Sequence, residues 1–371
     1  MARLKVGVIG CGAIAQIMHL PHLRRLAERY QIGALCDASP RVLQAVGDRF
    51  HIERRHTAYQ DLLKEQIDAV LILTPGSHAA PAVAALQAGL HVLVEKPMCF
   101  TLREADEMIA AAEASRRTLM VGYMKRYDPG YRYAQAALPD LGELRYIQVN
   151  TLHPVEDPYQ EIHDLVRDGD LPPAVVAEAE AEKRRLAEEA IGPVAESVRS
   201  IYTDVLLGSV IHDINALRGL VGAPEAVEFT RVWPGGERLP ILTTVLRHSA
   251  TLRTVCTWAY LPDLHDYFEE IALMGPGGRI RIQFPSPYLR NFPTPVVVER
   301  MEGAAAFKKH VTASYAESFR EELVHFHDCV TAGTRPLTDG RDARADIEVL
   351  QRVVAAWRPE GLAGEAGAAG P

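Results

Sequence analysis

The sequence predicts an α/β protein in two parts, a doubly wound parallel sheet followed by an antiparallel one. Two observations predict the first part. Short apolar runs alternate with helix-length segments over roughly the first 120 residues, the pattern of parallel strands joined by helical crossovers. The first run, Leu4–Ile9, passes straight into Gly10-Cys11-Gly12-Ala13-Ile14-Ala15, a Gly-x-Gly-x-x-Ala dinucleotide fingerprint. A third observation predicts the second part: from Val227 onward the chain reads as strand after strand.

In the fingerprint, Gly10 allows the tight turn, Gly12 lets backbone approach a pyrophosphate, and Ala15 keeps the next helix close to the sheet. Ala13 and Ile14 stand where that helix begins, and a helix start attracts phosphate. The second strand, Ile32–Cys36, ends in Asp37, near the spacing of an acid that binds an adenine ribose. A carboxylate there repels a 2′-phosphate and favours NAD. Arg41 works the other way, so NADP stays open. A Gly-rich turn without a cofactor is the bland alternative, and the three features together outweigh it.

Tyr59–Glu65 reads as a short helix and Ile67–Leu73 as the next strand, halted by the turn Thr74-Pro75-Gly76. Ser77 is placed to cap a helix over about His78–Ala88, which Gly89 ends. His91–Val94 is a further strand and leads into Glu95-Lys96-Pro97. Such a unit gathers Thr74, Pro75, His78, Glu95 and Lys96 beyond the carboxyl ends of the strands, where open α/β sheets bind ligands. Burial lowers an ammonium pKa towards the working pH, so Lys96 there can move a proton. The alternative is a surface lysine paired to Glu95. Thr101-Leu102-Arg103-Glu104 fits a capping box for a helix to about Ala114, and Thr118–Tyr123 is the last strand of the series.

A helix over about Tyr127–Leu138 follows, then Leu144–Leu152 with the alternation of a half-buried strand. Residues 155–173 carry prolines with Glu156, Asp157, Glu161, Asp164, Asp168 and Asp170. An Ala-, Glu- and Arg-rich helix over about Ala174–Arg199 comes next, with Glu180 and Arg184 at i,i+4. This insertion, about 155–200, is either solvated surface or a lid or oligomer contact. Tyr202–Val221 has helical period throughout and carries His212-Asp213-Ile214-Asn215, with Ser209 at i−3 from His212 and able to orient it. Val227–Trp233, Ile241–His248, Leu252–Tyr260, Phe268–Met274 and Arg279–Phe284 are the strands of the second sheet. An apolar face of that size calls for another subunit to cover it. His265 and Asp266 lie in a loop where exposure is the simpler reading. Helices over Ser314–Thr331 and Arg341–Trp357 close the domain, and residues 359–371 form a Gly- and Ala-rich flexible tail. His153, His163 and Asp164 could ligate a metal on paper but their spacing is unspecific, His325 and His327 point to different faces of a helix, and no metal is expected.

Gly10-x-Gly12-x-x-Ala15, Thr74-Pro75 with His78, Glu95-Lys96-Pro97 and Arg126-Tyr127-Asp128-Pro129 together resemble the Gfo/Idh/MocA family, that of glucose-fructose oxidoreductase and inositol dehydrogenase. The likeness runs through nearly the whole chain, and Glu-Lys-Pro is its most specific part. It implies a Rossmann domain over 1–125 and a substrate-binding and oligomerisation domain over 126–358, an α/β unit with a large, mostly antiparallel open sheet. It also implies NAD(P)-dependent oxidation or reduction of a polyol, sugar, cyclitol or keto-sugar, and a homodimer or homotetramer joined through the C-terminal sheet. In that reading Lys96 sits beside nicotinamide and substrate hydroxyl, with His212 sharing the proton transfer. Tyr123, Lys125, Arg126, Ser209 and Asp213 are candidate substrate contacts. The family often has an aspartate one turn before the histidine, where this chain has Gly208, and Asn215 stands where another acid is frequent. An NAD-assisted lyase or glycosidase and a non-catalytic NAD-binding sensor are the alternative functions.

Composition excludes other classes. The chain has 371 residues, enough for roughly two domains, with 48% hydrophobic and 24% charged side chains. Its net charge of −8, from 40 basic and 48 acidic groups, argues against a general nucleic-acid binder. No apolar run approaches the roughly 20 residues of a membrane helix. The N-terminus enters a strand directly and reads as lacking a signal peptide. Five scattered cysteines suit a reducing, cytoplasmic setting.

Overall fold

The computed structural model describes residues 3–167, 169–233 and 240–357, so the tail 359–371 and Asp168 lie outside the described residues. Among the described residues the first sheet has six parallel strands: β1 (Leu4–Ile9), β2 (Tyr30–Cys36), β3 (Arg55–His56), β4 (Ala69–Ile72), β5 (His91–Glu95) and β6 (Leu119–Gly122). Their order is β3-β2-β1-β4-β5-β6. Every residue of β4 is buried, because helices cover both faces; that is why these strands read as unbroken apolar runs. The order reverses at β1, so the crevice between the ends of β1 and β4 is where a ligand fits.

Among the described residues the second sheet has eight strands: β7 (Tyr146–His153), β8 (Ala226–Trp233), β9 (Ile241–Arg247), β10 (Arg253–Tyr260), β11 (Phe268–Gly275), β12 (Gly278–Phe284), β13 (Pro295–Glu302) and β14 (Ala305–Thr312). The order is β14-β13-β12-β11-β7-β10-β9-β8. It is antiparallel except where β7 runs beside β10. The β13–β14 hairpin, turned at Gly303 with φ +62°, extends the predicted sheet. Its outer strand is exposed almost throughout, and Lys308 and Lys309 on it discourage further strand pairing.

Three helical expectations are corrected. The insertion helix spans Pro173–Ile191 and breaks at Gly192, whose φ of +81° ends it; a short helix, Glu196–Ser200, follows. Its exposed ion pairs join Arg185 to Glu182 and Glu189, not Glu180 to Arg184. Tyr202–Val221 is not uniform: Ile201–Val210 is wound as a π-helix and Ile211–Val221 as an α-helix. The helix after the Thr74 turn spans Ala79–Gln87 and has His78 at its cap position, while the Ser77 hydroxyl accepts from Ala79 N–H at 3.3 Å and donates to Glu104 at 2.7 Å. The Thr101–Glu104 capping box is present as predicted.

The C-terminal helices, Ser318–Ala332 and Gly340–Ala356, return to the first sheet. Val121 N–H donates to Thr338 O at 2.8 Å, and Tyr30 hydroxyl donates to Leu323 O at 2.6 Å. The end of the second helix also meets the second sheet, where Trp357 bridges to Thr230 of β8, so these helices tie the two sheets together.

Candidate active site

At the nucleotide end, a Cβ on Gly10 would stand 2.7 Å from the backbone of Leu73 and Thr74, and its φ is +93°. Only glycine lets β1 and β4 end so close together. A Cβ on Gly12 would meet nothing within 4 Å, so the chain leaves bare backbone facing open space. Ala13 and Ile14 lead into the helical turns Ala15–His19 and Leu20–Arg25. Asp37 is anchored, accepting from Cys11 N–H at 2.7 Å and from Ser39 N–H at 2.8 Å. Glycine floor, helix start and ribose-side acid together fit a dinucleotide.

At the other corner, the Lys96–Pro97 peptide is cis. Glu95 turns beneath the sheet: Oε1 lies 2.7 Å from His19 Nε2, and Oε2 accepts from Lys96 N–H at 3.1 Å. Glu322, from the helix Ser318–Ala332, completes a buried cluster with these two whose ligand-type atoms lie within 4.8 Å of one another. Burial and the charge of Glu95 push Glu322 well above the carboxylate range, so it is the protonated member. Burial works to raise Glu95 too, but the His19 hydrogen bond and the Lys96 charge hold it below its ordinary value. His78 is buried behind the corner, its ring nitrogens 2.7 Å from Thr74 O and 2.7 Å from Pro97 O. It staples the turn to the cis-proline.

Lys96 does not pair through its ammonium with Glu95. It reaches across the cleft and donates from Nζ to Gly208 O at 2.6 Å. Burial lowers its pKa and the Lys125 charge assists; the charges of Glu95 and Glu156 oppose them. His212 lies four residues past Gly208. Burial, with the charges of Lys96 and Lys125, pushes its imidazole well below its ordinary value, so it is neutral and one ring nitrogen is free to accept a hydrogen bond from a hydroxyl.

Beside it lies a pocket lined by Met124, Lys125, His212, Tyr267, Glu269 and Phe284, among others. Lys125 bonds the Glu269 carboxylate and stands 3.7 Å from Asp213 Oδ1. Asp213 accepts from the Thr151 hydroxyl at 2.9 Å, and Tyr267 donates to Glu269 at 2.5 Å. Two buried carboxylates share one ammonium. Burial and Glu269 drive Asp213 well up; Lys125 holds Glu269 down against its burial.

Not every expected residue reaches this pocket. Ser209 accepts from Trp258 Nε1 at 2.9 Å, which engages the hydroxyl expected to orient His212. Arg126 turns towards Asn215 O at 3.3 Å and Asp342 at 3.5 Å, and Tyr123 is buried on the same side, near Asp346 and Arg218. Asn215 donates to Asp342 at 3.0 Å and to Asp346 at 2.7 Å. His265 and Asp266 are exposed and face each other at 2.9 Å. Sequence reasoning passed over Glu269, Tyr267 and Glu156. Glu156 takes His153 Nε2 at 3.2 Å and the Tyr288 hydroxyl at 3.3 Å. Its signal was membership of the acidic stretch after β7. Glu269, 1% exposed at an inward position of an apolar strand, was the clearer missed sign.

Residues 4–123 match the family described as an oxidoreductase family with an NAD-binding Rossmann fold. Inositol 2-dehydrogenase of Salmonella typhimurium is 36% identical over 135 residues, 34% of this chain and 39% of that protein. UDP-N-acetylglucosamine 3-dehydrogenase of Acidithiobacillus ferrooxidans is 32% identical over 171 residues, 45% of this chain and 51% of that one. The match thus spans from under two fifths to about half the length of these relatives. In three dimensions, myo-inositol 2-dehydrogenase from Lactobacillus plantarum superposes with a TM-score of 0.72 at 20% identity, covering 96% of this chain and 97% of that one. A 3-ketoreductase from Actinomadura kijaniata gives 0.72 at 20% identity, covering 96% and 98%. These last two likenesses concern the fold. Over residues 4–123 the chain is similar to the Gfo/Idh/MocA oxidoreductase family.

Proposed function

We propose that the protein is an NAD(P)-dependent oxidoreductase acting on a hydroxyl or keto group of a sugar, cyclitol or related polyol. The observation that carries this reading is the Lys96 bond to Gly208 O, four residues before His212, at the edge of a pocket lined by Lys125 and Glu269. A bound dinucleotide would rest on Gly10, Gly12 and Asp37 and supply hydride chemistry at its nicotinamide. The chain's own residues do the rest. Lys96, its pKa lowered by burial, takes the hydroxyl proton in oxidation and returns it in reduction. His212, neutral, binds the same hydroxyl and passes the proton outward. Lys125, Glu269 and Tyr267 offer donors and acceptors to further hydroxyls. The names of the relatives, which act on inositol and a nucleotide sugar, support that substrate class.

We read residues 1–125 as the dinucleotide domain and 126–358 as the substrate domain. Exposed Phe229, Trp233, Met301 and Phe307 on the second sheet support a homodimer or homotetramer formed through it. Among the described residues no helix is long and apolar enough to cross a membrane. Five free, buried cysteines support a cytoplasmic location. The test is a panel of sugars, cyclitols and their keto forms, assayed with NAD and NADP separately by absorbance at about 340 nm, the reduced-nicotinamide band used to follow dehydrogenases. Lys96→Ala should abolish turnover and leave dinucleotide binding intact. A variant turning over at near wild-type rate would sink the reading.

A further inference from the structure

The acidic stretch after β7, left without a role by its sequence, crosses back over the nucleotide end of the first domain. Val166 exchanges two hydrogen bonds with the buried Gln16 side chain, at 2.8 and 2.9 Å. Arg49 donates to Asp164 O at 2.7 Å and to its carboxylate at 3.1 Å. His163 is held at Tyr288 O, 2.7 Å away. Leu165 and Val166 pack on the first domain's apolar clusters. This is a strap built on contacts at both ends.

The strap delivers Asp170 to the start of the helix Pro40–Phe50. One carboxylate oxygen accepts from the buried Ser39 hydroxyl; the other accepts from Arg41 N–H at 2.9 Å. These are the donors an anion seeks at a helix start. They lie two and four residues past Asp37, the ribose-side acid. A phosphate on the 2′-oxygen of an adenosine bound beside Asp37 would find these two donors already taken. Gly169 passes close to Arg41, where an added Cβ would stand 3.8 Å from Nη1, so the nearest guanidinium lies along the strap.

We propose that Asp170 is the residue that selects NAD: its carboxylate holds the anion position at Ser39 and Arg41 and so excludes the 2′-phosphate of NADP. The inference rests on the dinucleotide reading of the Gly10–Asp37 region and names its specificity. Two carboxylates, Asp37 and Asp170, then face any phosphate placed there, and like charges at contact distance repel. The hydrogen bonds from Ser39 and Arg41 hold Asp170 below the ordinary carboxylate range, so the charge is present at neutral pH.

Titration calorimetry of the full chain with NAD and with NADP tests this without any substrate. Wild type should bind NAD more tightly. In Asp170→Ala the Kd for NADP should fall about tenfold or more, while that for NAD moves less than about threefold. Asp170→Asn keeps an oxygen for Ser39 and Arg41 and drops the charge, so it should show the same direction. A Kd ratio unchanged in both variants overturns the proposal. Equal tightening of both dinucleotides in Asp170→Ala, with none in Asp170→Asn, also overturns it, because the strap would then be a charge-independent cover. If neither dinucleotide binds any form, the dinucleotide reading falls and the proposal with it, a result distinct from intact binding with an unchanged ratio.

Discussion

Two lysines flank the same cleft and are held in opposite ways. Lys125 is buried between two carboxylates, bonded to Glu269 and close to Asp213. Lys96 is half-buried and donates to a single neutral carbonyl, Gly208 O. An ammonium locked to carboxylates is part of the architecture, because losing it strands buried negative charge. An ammonium whose direct partner is a carbonyl can lose its proton and strand nothing. The proton transfer we propose is therefore placed on Lys96, the lysine with the weaker partner, while Lys125 mainly holds the pocket's carboxylates.

This contrast can be broken by experiment. Lys96→Met should reduce turnover by about 100- to 10,000-fold yet lower stability by only about 1 kcal/mol, read from urea unfolding. A large loss of stability with modest loss of turnover would reverse the assignment. Lys125→Met should cost about 3–5 kcal/mol by leaving Glu269 and Asp213 without their cation. Its pH dependence carries a sign. In the wild type Glu269 is held low, so its contribution is present above the unfolded carboxyl value and lost as pH falls through the folded value. In Lys125→Met the cation is gone and burial, opposed only by the neutral hydrogen bonds from Tyr267 and Asp213, raises Glu269, so the urea midpoint should rise as pH falls from neutrality. Adding Glu269→Gln should recover part of the loss. The smallest effect concerns Glu156, whose charge raises Lys96. Glu156→Gln should lower the Lys96 pKa further and move the alkaline rise of kcat for oxidation to lower pH. A limb that stays put or moves alkaline would show that another group titrates.

The tight turn at Gly10 and the strand-end setting of Asp37 were legible in the sequence because backbone conformation and near neighbours determine them. Gly10, Gly12 and Asp37 sit on consecutive elements whose periodicity is plain, and the Thr101–Glu104 capping box is wholly local. The substrate end was less legible because its contacts are remote in sequence. Lys125 meets Glu269 across 144 positions, and Lys96 meets Gly208 across 112. No local pattern announces such pairs. The π-winding of Ile201–Val210 was hidden for a different reason: the segment is apolar on nearly every side, so a change of helical period leaves no mark on its hydrophobic pattern. Gly208 looked like a missing acid, yet its carbonyl is the atom that Lys96 uses. Tyr123 and Arg126 were grouped with Lys125 because they are adjacent, but the short 3-10 turn Met124–Tyr127 rotates successive side chains to different sides.

The strap also bears on the order in which the molecule assembles. Its bonds span 150 positions from Gln16 to Val166, 131 from Ser39 to Asp170 and 115 from Arg49 to Asp164. Closing loops of that length carries an entropy penalty that local contacts escape, so such contacts form late. During synthesis the first sheet can condense while residues 163–170 are still unmade. The start of the helix Pro40–Phe50 then faces solvent with its donors untaken, and it acquires its resident carboxylate only after a later part of the chain has arrived.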